Sequence, residues 1–122
     1  MRIQENLEKS KYEADGSIQI QGTTIPYHTI CEDHFFVDEE NNPVASIFSY
    51  AYFRSDVQDN SKRPILFIYN GGPGCASLWL HMGLFGPRIV KLDDELNLPT
   101  VPPFELEDNP HCLLDLCDLV FH

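Results

Sequence analysis

The chain has 122 residues, nineteen of them acidic against eight basic, for a formal net charge of −11. That imbalance argues against nucleic acid or an anionic membrane surface as a partner, and the length is enough for one domain and hardly for two. No stretch reaches the roughly eighteen apolar residues that a membrane span needs.

The polar N-terminus, Met1 to Lys11, lacks the apolar core of a secretory signal, so the cytoplasm is the default compartment for this chain. Residues 1–16 show no persistent hydrophobic period and read as a flexible tail, leaving 17–122 as the folded part. Ser17 to Gln21 alternates Ile18 and Ile20 with glutamines, Gly22-Thr23 supplies a turn, and Thr24 to Ile30 alternates again; together they predict an antiparallel hairpin. Phe35, Phe36 and Val37 run into the polar turn cluster Asp38 to Pro43. Val44 to Arg54 carries apolar and aromatic residues on both parities, which predicts an interior strand, and Ser55 to Pro64 is a hydrophilic loop.

Ile65 to Tyr69 is a short apolar run that breaks into Asn70, Gly71, Gly72, Pro73 and Gly74. Such a run bounded by turn signals predicts a strand buried on both faces. Ala76 to Leu84 favours helix, stopped by Gly86-Pro87, and Arg88 to Leu92 is a short strand candidate. Asp93 to Asp108, with three prolines, predicts an irregular surface excursion. Asn109-Pro110 reads as an N-cap followed by proline at the first helical position, with a short helix over Cys112 to Cys117. Leu119-Val120-Phe121 starts another buried strand. Domains rarely end inside an apolar strand, so the chain is expected to be incomplete at its C-terminus.

Three uses are open to the glycine turn. Gly72-x-Gly74-x-x-Ser77 follows a strand and has Asp93 about twenty residues on, as a dinucleotide fingerprint does, but Pro73 stiffens it and Ser77 stands at the third glycine's place. Alternatively, a Gly-Gly pair after a sheet strand supplies a backbone N–H to an oxyanion without a Cβ in the way. The third use is a tight turn without chemistry. Elsewhere, His28-x-x-Cys31-x-x-His34 invites a metal, but on a strand His28 and His34 share a face that excludes Cys31, and no fourth ligand is at hand. No metal or cofactor is assigned. Cys75 beside a helix start has no base at a defined spacing. The four cysteines, Cys31, Cys75, Cys112 and Cys117, form no C-x-x-C pair and read mainly as buried thiols.

Asn70-Gly-Gly-Pro-Gly-Cys-Ala-Ser77 resembles the N-G-G-P-G-S/C-S/A-S loop of the serine carboxypeptidase family. Trp79 to Arg88 is similar to the helix and Gly-Pro stop that come after it, and Asp108-Asn-Pro110 with Leu114 to Phe121 resembles the segment leading into the next strand. The resemblance spans roughly Ile18 to Phe121. It implies an α/β class: the truncated N-terminal part of an α/β-hydrolase sheet, antiparallel strands first, then strand, oxyanion loop and helix. It also implies a serine-type carboxypeptidase that hydrolyses peptides from the C-terminus without a cofactor, in a family often secreted or vacuolar. By the same resemblance Gly72 is the oxyanion donor through its backbone N–H, Gly71 shapes the loop, and Asn70 helps to hold the substrate's C-terminal carboxylate. Leu84 stands where family members often have a glutamate for that carboxylate, which weakens strict carboxypeptidase specificity. A disulfide from the position of Cys75, known in the family, lacks its partner here. The family's nucleophile lies in a Gly-x-Ser-x-Gly elbow that this chain does not contain, so the implied triad needs a further C-terminal polypeptide and the chain alone is expected to be inactive. The neighbouring readings are a proline-iminopeptidase-like hydrolase, whose loop begins with His where Asn70 stands, and a non-catalytic dinucleotide-binding or interaction domain.

Overall fold

A computed structural model describes residues 2–3, 10–97 and 100–122. Among these residues, eight strands form two sheets. β1 is Arg2–Ile3, β2 Lys11–Ile20, β3 Thr23–Val37, β4 Pro43–Arg54, β5 Ile65–Ile68, β6 Arg88–Val90, β7 Leu106–Asp108 and β8 Asp118–Phe121. In the main sheet β3 pairs with β1 and β2 along one edge and with β4 along the other, and the order continues β4, β8, β5. β6 and β7 make a separate antiparallel ribbon.

The predicted hairpin forms and is longer than the sequence pattern suggests. Ile18 pairs with Ile25 and Lys11 with Glu32, so Lys11 to Gly16, expected in the tail, are strand, as are Arg2 and Ile3; the rest of the expected tail, residues 1 and 4–9, lies outside the described residues. The apolar alternation stops at Ser17, but backbone pairing continues along exposed β2 because β3 runs on beside it. β4 is interior as predicted, paired on both sides.

The segment after β5 corrects the α/β class implied by the resemblance. The fold is mostly β, and its strand–loop–helix unit is reduced to a single three-residue α segment, α1 (Leu78–Leu80), running into a π turn over His81–Phe85. The Gly86 N–H bonds to the His81 carbonyl at 2.9 Å, five residues back, which widens and ends the helix. A Cβ on Gly86 would collide with that carbonyl oxygen, so only glycine closes the turn. The predicted helix over Cys112 to Cys117 is likewise only a 3₁₀ turn, Leu113–Asp115. Parallel pairing is confined to β5 with β8; every other ladder among the described residues is antiparallel.

The core lies on one face of the main sheet. Ile18, Ile25, Leu114, Leu119 and Phe121 are its fully buried centre, with Tyr27, Tyr52, Leu80 and Phe85 packed around them. Alternation along β8 sends Leu119 and Phe121 into this core and Val120 to the opposite face. That opposite face is a shallow apolar concavity of about 340 Å³, lined by Ile30, Ile47, Ala51, Phe53, Phe67 and Val120 among others. β5, expected to be buried on both faces, is instead an edge strand: only Ile68 is buried, and Phe67 is 57% exposed.

β8 is held between β4 and β5 by an ion pair. Arg63 Nε donates to Asp118 Oδ1 at 2.8 Å, with the side chains only 8% and 7% exposed. The same carboxylate oxygen accepts the Arg54 N–H at 3.0 Å, and the Arg63 guanidinium also donates to the Leu114 and Asp115 carbonyls. One carboxylate therefore ties β4, the approach to β5 and the start of β8. Asp118→Asn keeps the shape but leaves Arg63 buried without its anion, which should cost about 3–5 kcal/mol. Urea denaturation checks this; a loss below about 1 kcal/mol would show that the pair does not hold β8.

Candidate functional site

The glycine turn leaves the end of β5 beside the end of β8. The ladder carries one bond past the end of β8, His122 N–H to the carbonyl of Ile68, the last residue of β5, at 3.0 Å. From there the turn is closed by side chains. The Ser77 hydroxyl donates to the His122 carbonyl and accepts the Asn70 N–H at 3.2 Å. Asn70 Nδ2 donates to the Ala76 carbonyl at 2.7 Å, and the Cys75 sulfur lies 3.5 Å from the same nitrogen. Ser77 thus lies between the turn and the end of β8.

Within the turn, Gly72 and Gly74 have φ of +69° and +90°. A side chain at either would meet no neighbouring atom, so glycine is required by the backbone and not by space. Gly71, Gly72 and Gly74 are exposed, and their N–H groups make no hydrogen bond among the described residues. The structure therefore presents a free donor at Gly72, beside Gly71 and at the other end of the Asn70 clasp. α1 is too short to add the macrodipole that a pyrophosphate site draws on.

The flanking segment holds features that sequence reasoning misses. His81 is buried where α1 becomes the π turn, packed against the rings of Tyr50, Tyr52 and Phe121 with centroids 4.6–5.5 Å away. Its Nε2 lies 2.6 Å from the Tyr52 hydroxyl. Burial drives the Tyr52 pKa far up, so Tyr52 keeps its proton and can donate it to the neutral His81 imidazole. Asn109, expected as an N-cap, is buried; its Oδ1 accepts the His111 N–H as a cap would, though no helix starts there, and its Nδ2 also bridges to the Leu84 and Gly86 carbonyls at 2.7 and 2.9 Å. It satisfies carbonyls that the early end of the helix leaves orphaned. A His five residues before Gly-Pro is the available signal, but its partner sits 29 residues away on β4.

The other candidates do not converge. His28 Nδ1 bonds to Asp15 Oδ1 at 2.8 Å and His34 Nε2 to Ser49 Oγ at 2.9 Å, across different strand pairs. No group of three or more metal-ligating side chains occurs among the described residues. All four cysteines are free: Cys112 and Cys117 buried, Cys31 half-buried, Cys75 exposed. Leu84 is exposed on the π turn.

Burial lowers the pKa of His81 below the usual value near 6.5. Protons therefore bind the unfolded chain more readily than the folded one, and the stability held by neutral His81 is present above about pH 6.5 and lost as pH falls toward the depressed folded value. The wild-type urea midpoint should drop between about pH 7.5 and pH 5.5, and His81→Gln, which still accepts from Tyr52, should show a smaller drop. Equal drops would mean that His81 does not carry the titration.

No protein-family model matches the chain, and neither a curated protein nor a solved structure matches it.

Proposed function

We propose that this chain supplies the oxyanion side of a serine-type carboxypeptidase site and works together with a further polypeptide that carries the nucleophile, base and acid. The observation that carries the reading is the Gly72 N–H: unbonded, exposed and fixed at positive φ in a turn pinned to β8. Acyl transfer puts negative charge on the substrate's carbonyl oxygen, and a donor held in place beforehand stabilises it without reorganisation. Asn70 serves the substrate's C-terminal carboxylate with its second amide hydrogen. The first is bound to Ala76, while the second has only the Cys75 sulfur, a weak acceptor that a carboxylate displaces. Gly71 leaves the approach to both groups open. Ser77 is not assigned as the nucleophile, because no base is hydrogen-bonded to it among the described residues.

The open apolar face lined by Ile30, Ile47, Phe53, Phe67 and Val120, together with the unpaired edge of β5, offers that further polypeptide a docking surface next to the turn. Peptide is the substrate class, and no cofactor is invoked.

A fluorophosphonate, which labels activated serines, should leave the isolated chain unlabelled and label a Gly-x-Ser-x-Gly polypeptide assembled with it, whether encoded beyond His122 or separately. Labelling of Ser77 in the isolated chain, or an assembled protein that does not trim peptide C-termini, would overturn the proposal. In the assembled enzyme Gly72→Pro removes the donor and should lower turnover by about 10²–10³, the effect of losing one oxyanion contact. Gly72→Ala, which keeps the N–H at some backbone strain, should lose much less; equal losses would assign the effect to loop shape alone.

A further inference from the structure

Beyond Ser77, the outer side of the same segment forms a second concavity, a cleft of about 930 Å³ between α1, the π turn and the β6–β7 ribbon. Its walls are apolar: Trp79, Met82, Ile89, Leu92 and Leu96. Trp79 is 70% exposed and Leu96 77%, large apolar side chains held in solvent around a common hollow.

Leu96 reaches that position through an organised loop. Asp93 Oδ1 accepts the Glu95 and Asn97 N–H groups at 2.9 and 2.8 Å, and the Leu96 N–H returns to the Asp93 carbonyl. The loop Asp38–Asn42 repeats this pattern bond for bond, with Asn41 at the position of positive φ. There the residue type suits the backbone; at 93–97 the same place is filled by leucine at φ +62°, which a packed core does not reward because the side chain faces water.

The rim is acidic. Glu107 lies opposite Ile89 across the ribbon, and Asp94 stands on the loop. Neither carboxylate has a hydrogen bond or ion pair among the described residues. The nearby cations have closer partners: Lys91 bonds to Glu105 at 2.9 Å, with Glu107 acting on it only at longer range, and Arg88 to Asp108 at 3.2 Å.

We propose that this cleft binds a cationic peptide segment, an aliphatic side chain filling the hollow against Trp79, Met82 and Leu96 while flanking lysine or arginine side chains pair with Asp94 and Glu107. Charge selects the occupant: two unpaired carboxylates on a chain of net charge −11 repel an acidic segment and disfavour a second copy of this chain. The exposed indole adds a face on which a cation stacks.

Trp79 is the chain's one tryptophan, so its emission reports directly on the cleft. The full chain should be titrated with three capped tetrapeptides: two leucines flanked by lysines, two leucines flanked by glutamates, and two serines flanked by lysines. The first should shift Trp79 emission to the blue in a saturable way and bind more weakly as salt is raised. The other two should bind at least about fivefold more weakly, and Asp94→Asn with Glu107→Gln should weaken the first by about fivefold, the scale of two exposed ion pairs. Both substitutions are at exposed positions, and circular dichroism confirms that the fold is retained. Equal binding of the serine peptide would reduce the effect to general attraction by net charge and overturn the proposal. So would equal binding of the glutamate peptide, unchanged affinity in the double variant, or no response of Trp79.

Discussion

The insertion of β8 between β4 and β5 is the constraint on which the rest of this molecule depends. Leu119, Val120 and Phe121 are buried, and β8 joins the antiparallel part of the sheet to its one parallel pair. A one-residue slip of a strand exchanges its faces; here it would put Val120 in the core and expose Phe121. The Arg63–Asp118 pair guards against that slip. Its net energy is modest, since two charges lose their water, but its geometry is satisfied only when Asp118 reaches both Arg63 and the Arg54 N–H.

From that placement the site arises by short steps. With β8 beside β5, the His122 carbonyl lies within reach of the Ser77 hydroxyl, and Ser77 in turn holds the Asn70 N–H. The turn between them needs two residues at positive φ, and glycine stands at both. The groups left unpaired are backbone N–H donors in water at the end of a parallel strand. Below the turn, Asn109 takes up the Leu84 and Gly86 carbonyls freed where the helix widens and stops.

Local chemistry is legible in the sequence, and long-range pairing is not. Ile18, Ile20 and Ile25 announce the hairpin, and Phe48, Tyr50 and Tyr52 an interior strand, because alternation and β-branched or aromatic content act within a few residues. Asn70 to Gly74 announces a turn with free donors for the same reason. The length of β2 is hidden because its outer half pairs through backbone alone. β5 reads as doubly buried because Ile65, Leu66 and Phe67 are apolar, yet burial depends on the neighbours beyond the strand's edge. The helix expected after the turn forms over residues 78–85 and stops at Gly86 as expected, but its widening into a π turn is hidden, because it involves His81 meeting Tyr52, 29 residues away, and Gly86 seating against the His81 carbonyl. Asn109 misleads in part: its Oδ1 does accept the His111 N–H as a cap would, but no helix follows until the short turn at Leu113, and the contacts of its Nδ2 with Leu84 and Gly86 lie more than twenty residues away.

That the turn is clamped while its Gly72 N–H stays free is tested most directly by amide hydrogen exchange of the isolated chain, read residue by residue by NMR. Strong protection is expected at Leu119, Val120 and Phe121, measurable protection at Asn70, and exchange of Gly72 near the rate of an unstructured amide. A Gly72 amide protected to the level of Asn70, or β8 amides that exchange freely, would contradict this picture of the site.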